Sequence, residues 1–247
     1  MPVREQPEQQ APPVQRLRVR YAKRGRLRFT SHRDFSRAFE RALVRARIPM
    51  AYSSGFNPHP RISYAGASPT GAASEAEYLE IGLAQQMEPG ALAEQLDEAL
   101  PDGLDVLEVV EARPGSLADR LEASLWRLDL AGVPEEQARP AAEAFLAADA
   151  VEVERMTKKG LRTFDSRAAV LSLTVAPTPV PEGDTPGPGA QLEVVVRHTE
   201  PAVRPDDVLA GLRRTGGLEV PAAPLVTRLA QGPYDPSTGT IGDPLAG

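Results

Sequence analysis

RLRVRYAKRGRLRFTSHRDFSRAFERALVRAR, residues 16–47, changes its period once. Up to Tyr21, apolar and basic side chains alternate: Leu17, Val19 and Tyr21 against Arg16, Arg18 and Arg20. A period of two is that of a strand with one buried face. Lys23-Arg24-Gly25 reads as a tight turn, and Leu27 and Phe29 as a brief return of the alternation. From Ser31 the spacing becomes helical. Phe35, Ala38, Phe39, Ala42, Leu43 and Ala46 fall on one stripe. Ser31 with Asp34 three residues later predicts an N-cap, and Pro49 ends the helix.

Working outward, the pattern continues. AYSSGFNPHP (51–60) is a loop, RISYAGA (61–67) a strand, SPTG (68–71) a turn and EYLEIGL (77–83) a strand. PGALAEQLDEAL (89–100) is an amphipathic helix that starts with proline, and LDVLEVVEA (104–112) is a strand. The order is β-α-β-β-α-β, the split βαβ arrangement. It then repeats with an extra hairpin: EASLWRLDLAG, PEEQARPAAEAFLAA, VEVERMTKKGLRTFDS, AAVLSLTV, AQLEVVVRH, RPDDVLAGLRRTGG and APLVTRLA. The expected fold class is α+β, with two tandem ferredoxin-like (βαββαβ) domains at 16–113 and 121–232 and disordered termini at 1–15 and 233–247. A proline-rich insert at 177–190 interrupts the second domain.

The chain of 247 residues is 41% hydrophobic, enough for a real core. It has no cysteine, so it has no disulfide or thiolate zinc site and cannot hold an iron–sulfur cluster alone. No cofactor and no metal are expected. The N-terminal MPVREQPEQQAPPVQ lacks the apolar core of a signal peptide. No apolar run approaches ~18 residues. A soluble, cytoplasmic protein without a membrane partner is therefore expected. GxxxxGK[ST], GxGxxG after a strand and HExxH are all missing from the sequence, which argues against a nucleotide-dependent or metalloenzyme.

Charge is distributed unevenly. The net charge is −6, yet residues 16–64 hold 13 Lys and Arg against Asp34 and Glu40, a segment of +11. Such clustering is the footprint of a polyanion partner, or of a solvated face offset by acidic neighbours. Arg33, Arg37, Arg41 and Arg45 are four apart, a spacing that can track phosphates. Arg33, Arg37 and Arg41, with Lys23, Arg28 and Arg61, are expected to form one surface, with His32 and His59 at its edge. His32 reads either as a general acid–base in metal-free RNA cleavage or as a hydrogen-bonded structural histidine. His59, between Pro58 and Pro60, sits in a stiff loop that either presents it or packs it. Lys158, Lys159 and Arg162 mark a basic hairpin tip, which suits nucleic acid or the protection of an edge.

The run from Arg18 to Ile81 resembles a known family. GRLRFTSHRDF, ERAL, YSSGFNPHP and the PTG…AEYL turn and strand are similar to the start of the radical-SAM-linked family, a bacterial domain of unknown function. KKGLRTFDSR is similar to its second half more weakly. The resemblance implies a radical SAM protein as partner, one that would hold the cluster this chain lacks. It implies no activity. The expected function is an uncharacterised, non-catalytic accessory protein that binds or presents an RNA substrate through its basic N-terminal surface. The alternatives are a protein–protein adaptor without nucleic acid, or a metal-free RNA-processing enzyme using His32 or His59.

Overall fold

A computed structural model describes residues 9–157, 160–177 and 189–246. It is a mixed α+β chain with four α-helices among the described residues. The chain divides into a unit that ends at Asp119 and a second that runs from Arg120 to Pro244.

In the first unit the order is β1 (Gln15–Lys23), α1 (His32–Arg45), β2 (Ile62–Ala65), β3 (Ala73–Leu83), α2 (Pro89–Ala99) and β4 (Val106–Glu111). The strands lie in the order β4-β1-β3-β2 and every pair is antiparallel. Val19 of β1 faces Val109 on one side and Leu79 on the other. Leu17, Val19 and Tyr21 all enter the core, as a period-two strand requires. There they meet Phe35, Phe39, Ala42 and Leu43 of α1, and Leu92 and Leu96 of α2. Ser31 caps α1, its Oγ accepting from the Asp34 amide at 3.2 Å. The helix thus starts where its cap residue sets it, and its apolar stripe follows.

The second unit contains β5 (Ala123–Ala131), α3 (Glu135–Ala147), β6 (Glu152–Thr157), β7 (Gly160–Asp165), β8 (Val170–Pro177), β9 (Gly189–Arg197), α4 (Pro205–Gly216) and β10 (Leu225–Gly232). β10-β5-β9-β8 is its antiparallel strand order. β6 and β7 pair with each other, Met156 opposite Leu161. α3 and α4 pack closely because α4 carries glycine at the contact. A Cβ on Gly216 would lie 2.3 Å from the Ala141 Cα, and one on Gly211 would lie 2.5 Å from the Phe145 ring.

Three features differ from expectation. Gly25–Phe29 is a 3₁₀ turn, not a strand. Gly25 has φ +53 and the Thr30 amide bonds the Leu27 carbonyl, which coils the segment and leaves Phe29 exposed. The tail after residue 232 is structured: β11 (Tyr234–Asp235) pairs with β12 (Thr240–Ile241). Its turn is made by Asp235, which accepts from the Ser237 amide and hydroxyl, and by Gly239 at φ +72. Pro13 packs against Gly82, and the Val14 amide bonds the Leu83 carbonyl, so the end of the N-terminal segment is held. Residues 1–8 and the 178–188 part of the proline-rich insert lie outside the described residues.

Two stability outcomes follow from this packing. Phe39 has no exposure, so Phe39→Ala is expected to cost roughly 3–5 kcal/mol in denaturant unfolding. Gly216→Ala would raise helix propensity by about 1 kcal/mol in an open helix. Here the added methyl meets backbone, and a net loss of about 1–3 kcal/mol is expected, read as a lower unfolding midpoint.

Candidate nucleic-acid interface

α1 turns its apolar stripe inward, so its other face is fixed. Arg33, Arg37 and Arg41 are exposed, and among the described residues none of the three has an acid within ion-pair distance. Successive members lie about 6 Å apart along the axis, four residues at 1.5 Å each. Arg45 ends the row, its guanidinium donating to the Ala99 carbonyl at the end of α2. Arg37, Glu40, Arg41, Val44 and Arg45 line an open trough of about 720 Å³. Val44 stands 73% exposed within it.

At the start of α1, His32 is exposed and meets Tyr64 edge-on, with ring centroids 4.8 Å apart. Tyr64 in turn meets Phe35 at 6.0 Å. Burial pushes the Tyr64 phenol above its ordinary range. Just before the helix, the Arg28 guanidinium lies 4.6 Å from the centre of the Phe29 ring.

Other basic residues of the segment are engaged by the protein. Arg18 is fully buried; its Nη2 donates to the Arg113 and Gly115 carbonyls at 2.9 and 2.6 Å, and its Nε meets Glu80 at 3.3 Å. Arg20 donates to the Glu75 carbonyl, and Arg24 pairs with Glu75 and Asp105. Lys23, expected on the open surface, is 5% exposed, and its Nζ donates to the Pro69 carbonyl at 3.4 Å. It is therefore withdrawn from that surface. Arg61 is half-buried, and its Nε donates to the Tyr52 carbonyl. His59 is exposed but its loop is stapled: its amide bonds Ser53 Oγ and its carbonyl accepts from the Ser53 amide. β2 carries Tyr64 to His32, whereas Arg61 lies three residues before Tyr64 and His59 five, about 10 and 17 Å back along an extended chain. Arg162 is exposed on β7 opposite Arg155, which is taken by Asp207 at 2.6 Å. Lys158 and Lys159 lie outside the described residues.

One contact in the second unit escaped the sequence reading. His198 Nδ1 lies 2.7 Å from the Leu121 carbonyl, to which it donates. That leaves Nε2 as the acceptor for the Ser124 hydroxyl at 2.6 Å. The pairing resembles a nucleophile and its base, but the Ser124 side is buried, at 1% exposure. The contact ties β5 to the end of β9. Nothing in the sequence marks it, because the partners are 74 residues apart.

Burial holds the His198 imidazole below its ordinary range, and the charge of Arg228 adds to the effect. A histidine depressed in the folded state binds its proton more readily when unfolded. Its contribution to stability is therefore present at neutral pH and is lost as pH falls through about 6.5, the unfolded value, towards the folded one. Ser124→Ala is expected to leave the buried Nε2 without its donor and to cost about 1 kcal/mol, read by denaturant unfolding.

Among the described residues no group of three or more His, Asp or Glu could hold a metal, and no helix is long and apolar enough to cross a membrane. A family model described as an uncharacterized protein conserved in bacteria (DUF2344) matches residues 16–205. No curated protein matches the chain. A crystal structure of an unknown protein from Galdieria sulphuraria is similar over 87% of this chain and 98% of its own, at 15% identity and a TM-score of 0.24. A crystal structure of the first two RRM domains of the yeast poly(U) binding protein Pub1 is similar over 86% and 98%, at 11% identity and a TM-score of 0.22. At these scores neither likeness bears on fold or function.

Proposed function

The chain belongs to the DUF2344 family of uncharacterised bacterial proteins, and on that premise we propose that it is a non-catalytic accessory module that binds RNA through the outer face of α1. One observation carries this reading. Arg33, Arg37 and Arg41 stand one turn apart, exposed and without an acid partner among the described residues. The arginines of β1 meet carbonyls and carboxylates of the protein, which leaves the α1 row, with the exposed Arg26 and Arg47, as cations without an acid partner among the described residues. Guanidinium groups in a row suit a phosphate backbone, each able to pair with two oxygens. We read both units as ferredoxin-like, supported by the β4-β1-β3-β2 and β10-β5-β9-β8 strand orders. A radical SAM protein is the proposed partner, on the strength of the resemblance in residues 18–81.

An adaptor role is the second reading, and Val44 is the observation that favours it: a bare apolar side chain among arginines suits an acidic protein as well as a nucleic acid. Titration of labelled single-stranded RNA at several salt concentrations separates the two. Arg37→Glu with Arg41→Glu is expected to weaken binding equally for all sequences and to flatten the salt dependence by about 0.7 per lost contact. RNA affinity unchanged by the double reversal, or no binding at low salt, would remove the RNA reading and leave the adaptor.

A further inference from the structure

The aromatic residues of the first unit are sorted by the fold. Tyr21, Phe35 and Phe39 are at most 3% exposed, packed in the core. Phe29 and Phe56 are each 60% exposed and Tyr52 41%, and of these Phe29 is the one beside α1. A phenylalanine left in water forgoes roughly 1.5–3 kcal/mol of burial. It is not a frayed side chain. The 3₁₀ turn Gly25–Phe29 closes through the Thr30 amide on the Leu27 carbonyl at 2.9 Å, and the next residue is the Ser31 cap of α1. The ring is therefore anchored at the end of the helix that carries the arginines. Arg28 lies over it at 4.6 Å, so a flat cation and a flat ring already form the beginning of a stack.

We infer that Phe29, with Arg28, is a stacking platform for an unpaired base, and that the occupant of the α1 face is single-stranded RNA. The inference rests on the RNA reading above and narrows it. Arginines alone accept any polyanion. An exposed ring at the head of the arginine row adds something only a ligand with π-faces can use. Aromatic side chains beside a cationic track are how proteins hold single strands, because every base presents a face while the phosphates follow the charge. In a duplex the bases are stacked on one another and cannot reach the ring. Arg33 follows Phe29 by four residues, and Arg37 and Arg41 continue at about 6 Å intervals. A base on Phe29 would thus set the register of the phosphates along α1.

The test uses the full chain and two labelled ligands of about 12 nucleotides, within the span of single-strand sites. One is a mixed-sequence single-stranded RNA; the other is an abasic strand with the same phosphates. Fluorescence anisotropy at fixed low salt gives the affinities. Phe29→Ala is expected to weaken RNA binding about 5- to 150-fold, the worth of one base stack, and to leave the abasic strand unaffected. Phe29→Trp is expected to retain the RNA affinity. Circular dichroism confirms that each variant is folded, which the exposure of Phe29 allows. Equal RNA affinity for Phe29→Ala and wild type, with Arg37→Glu/Arg41→Glu still weakening both ligands, would overturn the platform and leave phosphate binding standing. An equal loss for both ligands in Phe29→Ala would also overturn it. If the double reversal changes neither affinity, the polyanion reading itself falls, and the platform with it.

Discussion

The ring of Phe35 lies flat on that of Tyr21, with centroids 4.5 Å apart and planes 3° from parallel, and Phe39 follows it at 5.7 Å. This contact between α1 and β1 fixes the roll of the helix. A shift of one position would turn α1 by about 100°, lifting Phe35 and Phe39 towards water and driving arginines into an apolar core. An unpaired guanidinium there would cost several kcal/mol. The direction of Arg33, Arg37 and Arg41 is therefore a by-product of aromatic packing on the opposite side. The arginine face is as precisely aimed as the core is tightly packed.

The same strand explains why segment charge is a poor guide to surface charge. β1 has one apolar face and one basic face, and the basic face is largely consumed. Arg18 alone holds the carbonyls of Arg113 and Gly115 in the chain that leaves β4. A fully buried arginine needs such partners, and here backbone carbonyls and Glu80 supply them. Of a segment that reads as +11, what remains for a partner is the helix row and the few cations beside it.

Local patterns were legible where local physics decides. The alternation of β1, the Ser31 cap and the α1 stripe each follow from spacing that the backbone geometry enforces. Lys23 shows how a parity rule is under-used. It shares the parity of Leu17, Val19 and Tyr21, and the structure buries it despite an irregularity between Tyr21 and Lys23. Phe29 was misread because Leu27 and Phe29 alternate like a strand, while Gly25 and the approach to the Ser31 cap favour a coil. The Asp235 turn was missed because DPSTG reads equally well as a tail when the strands beside it are two residues long. The Ser124–His198 contact and the glycine seam between α3 and α4 depend on residues distant in sequence, and no periodicity reports them.

The arginine row also has an energetic side. Like charges four residues apart in a helix repel, at about 0.2–0.5 kcal/mol per pair. α1 carries two such pairs among Arg33, Arg37 and Arg41, offset only in part by Asp34 and Glu40, each three residues from Arg37. The free helix is thus held slightly below the stability its core would give it. An anion laid along the row would relieve that repulsion as it bound, so part of its affinity would appear as a rise in melting temperature. Added salt would act in opposite senses on the two states, steadying the empty helix by screening while weakening the complex. A row of like charges is, in this fold, a small permanent cost to the helix that carries it.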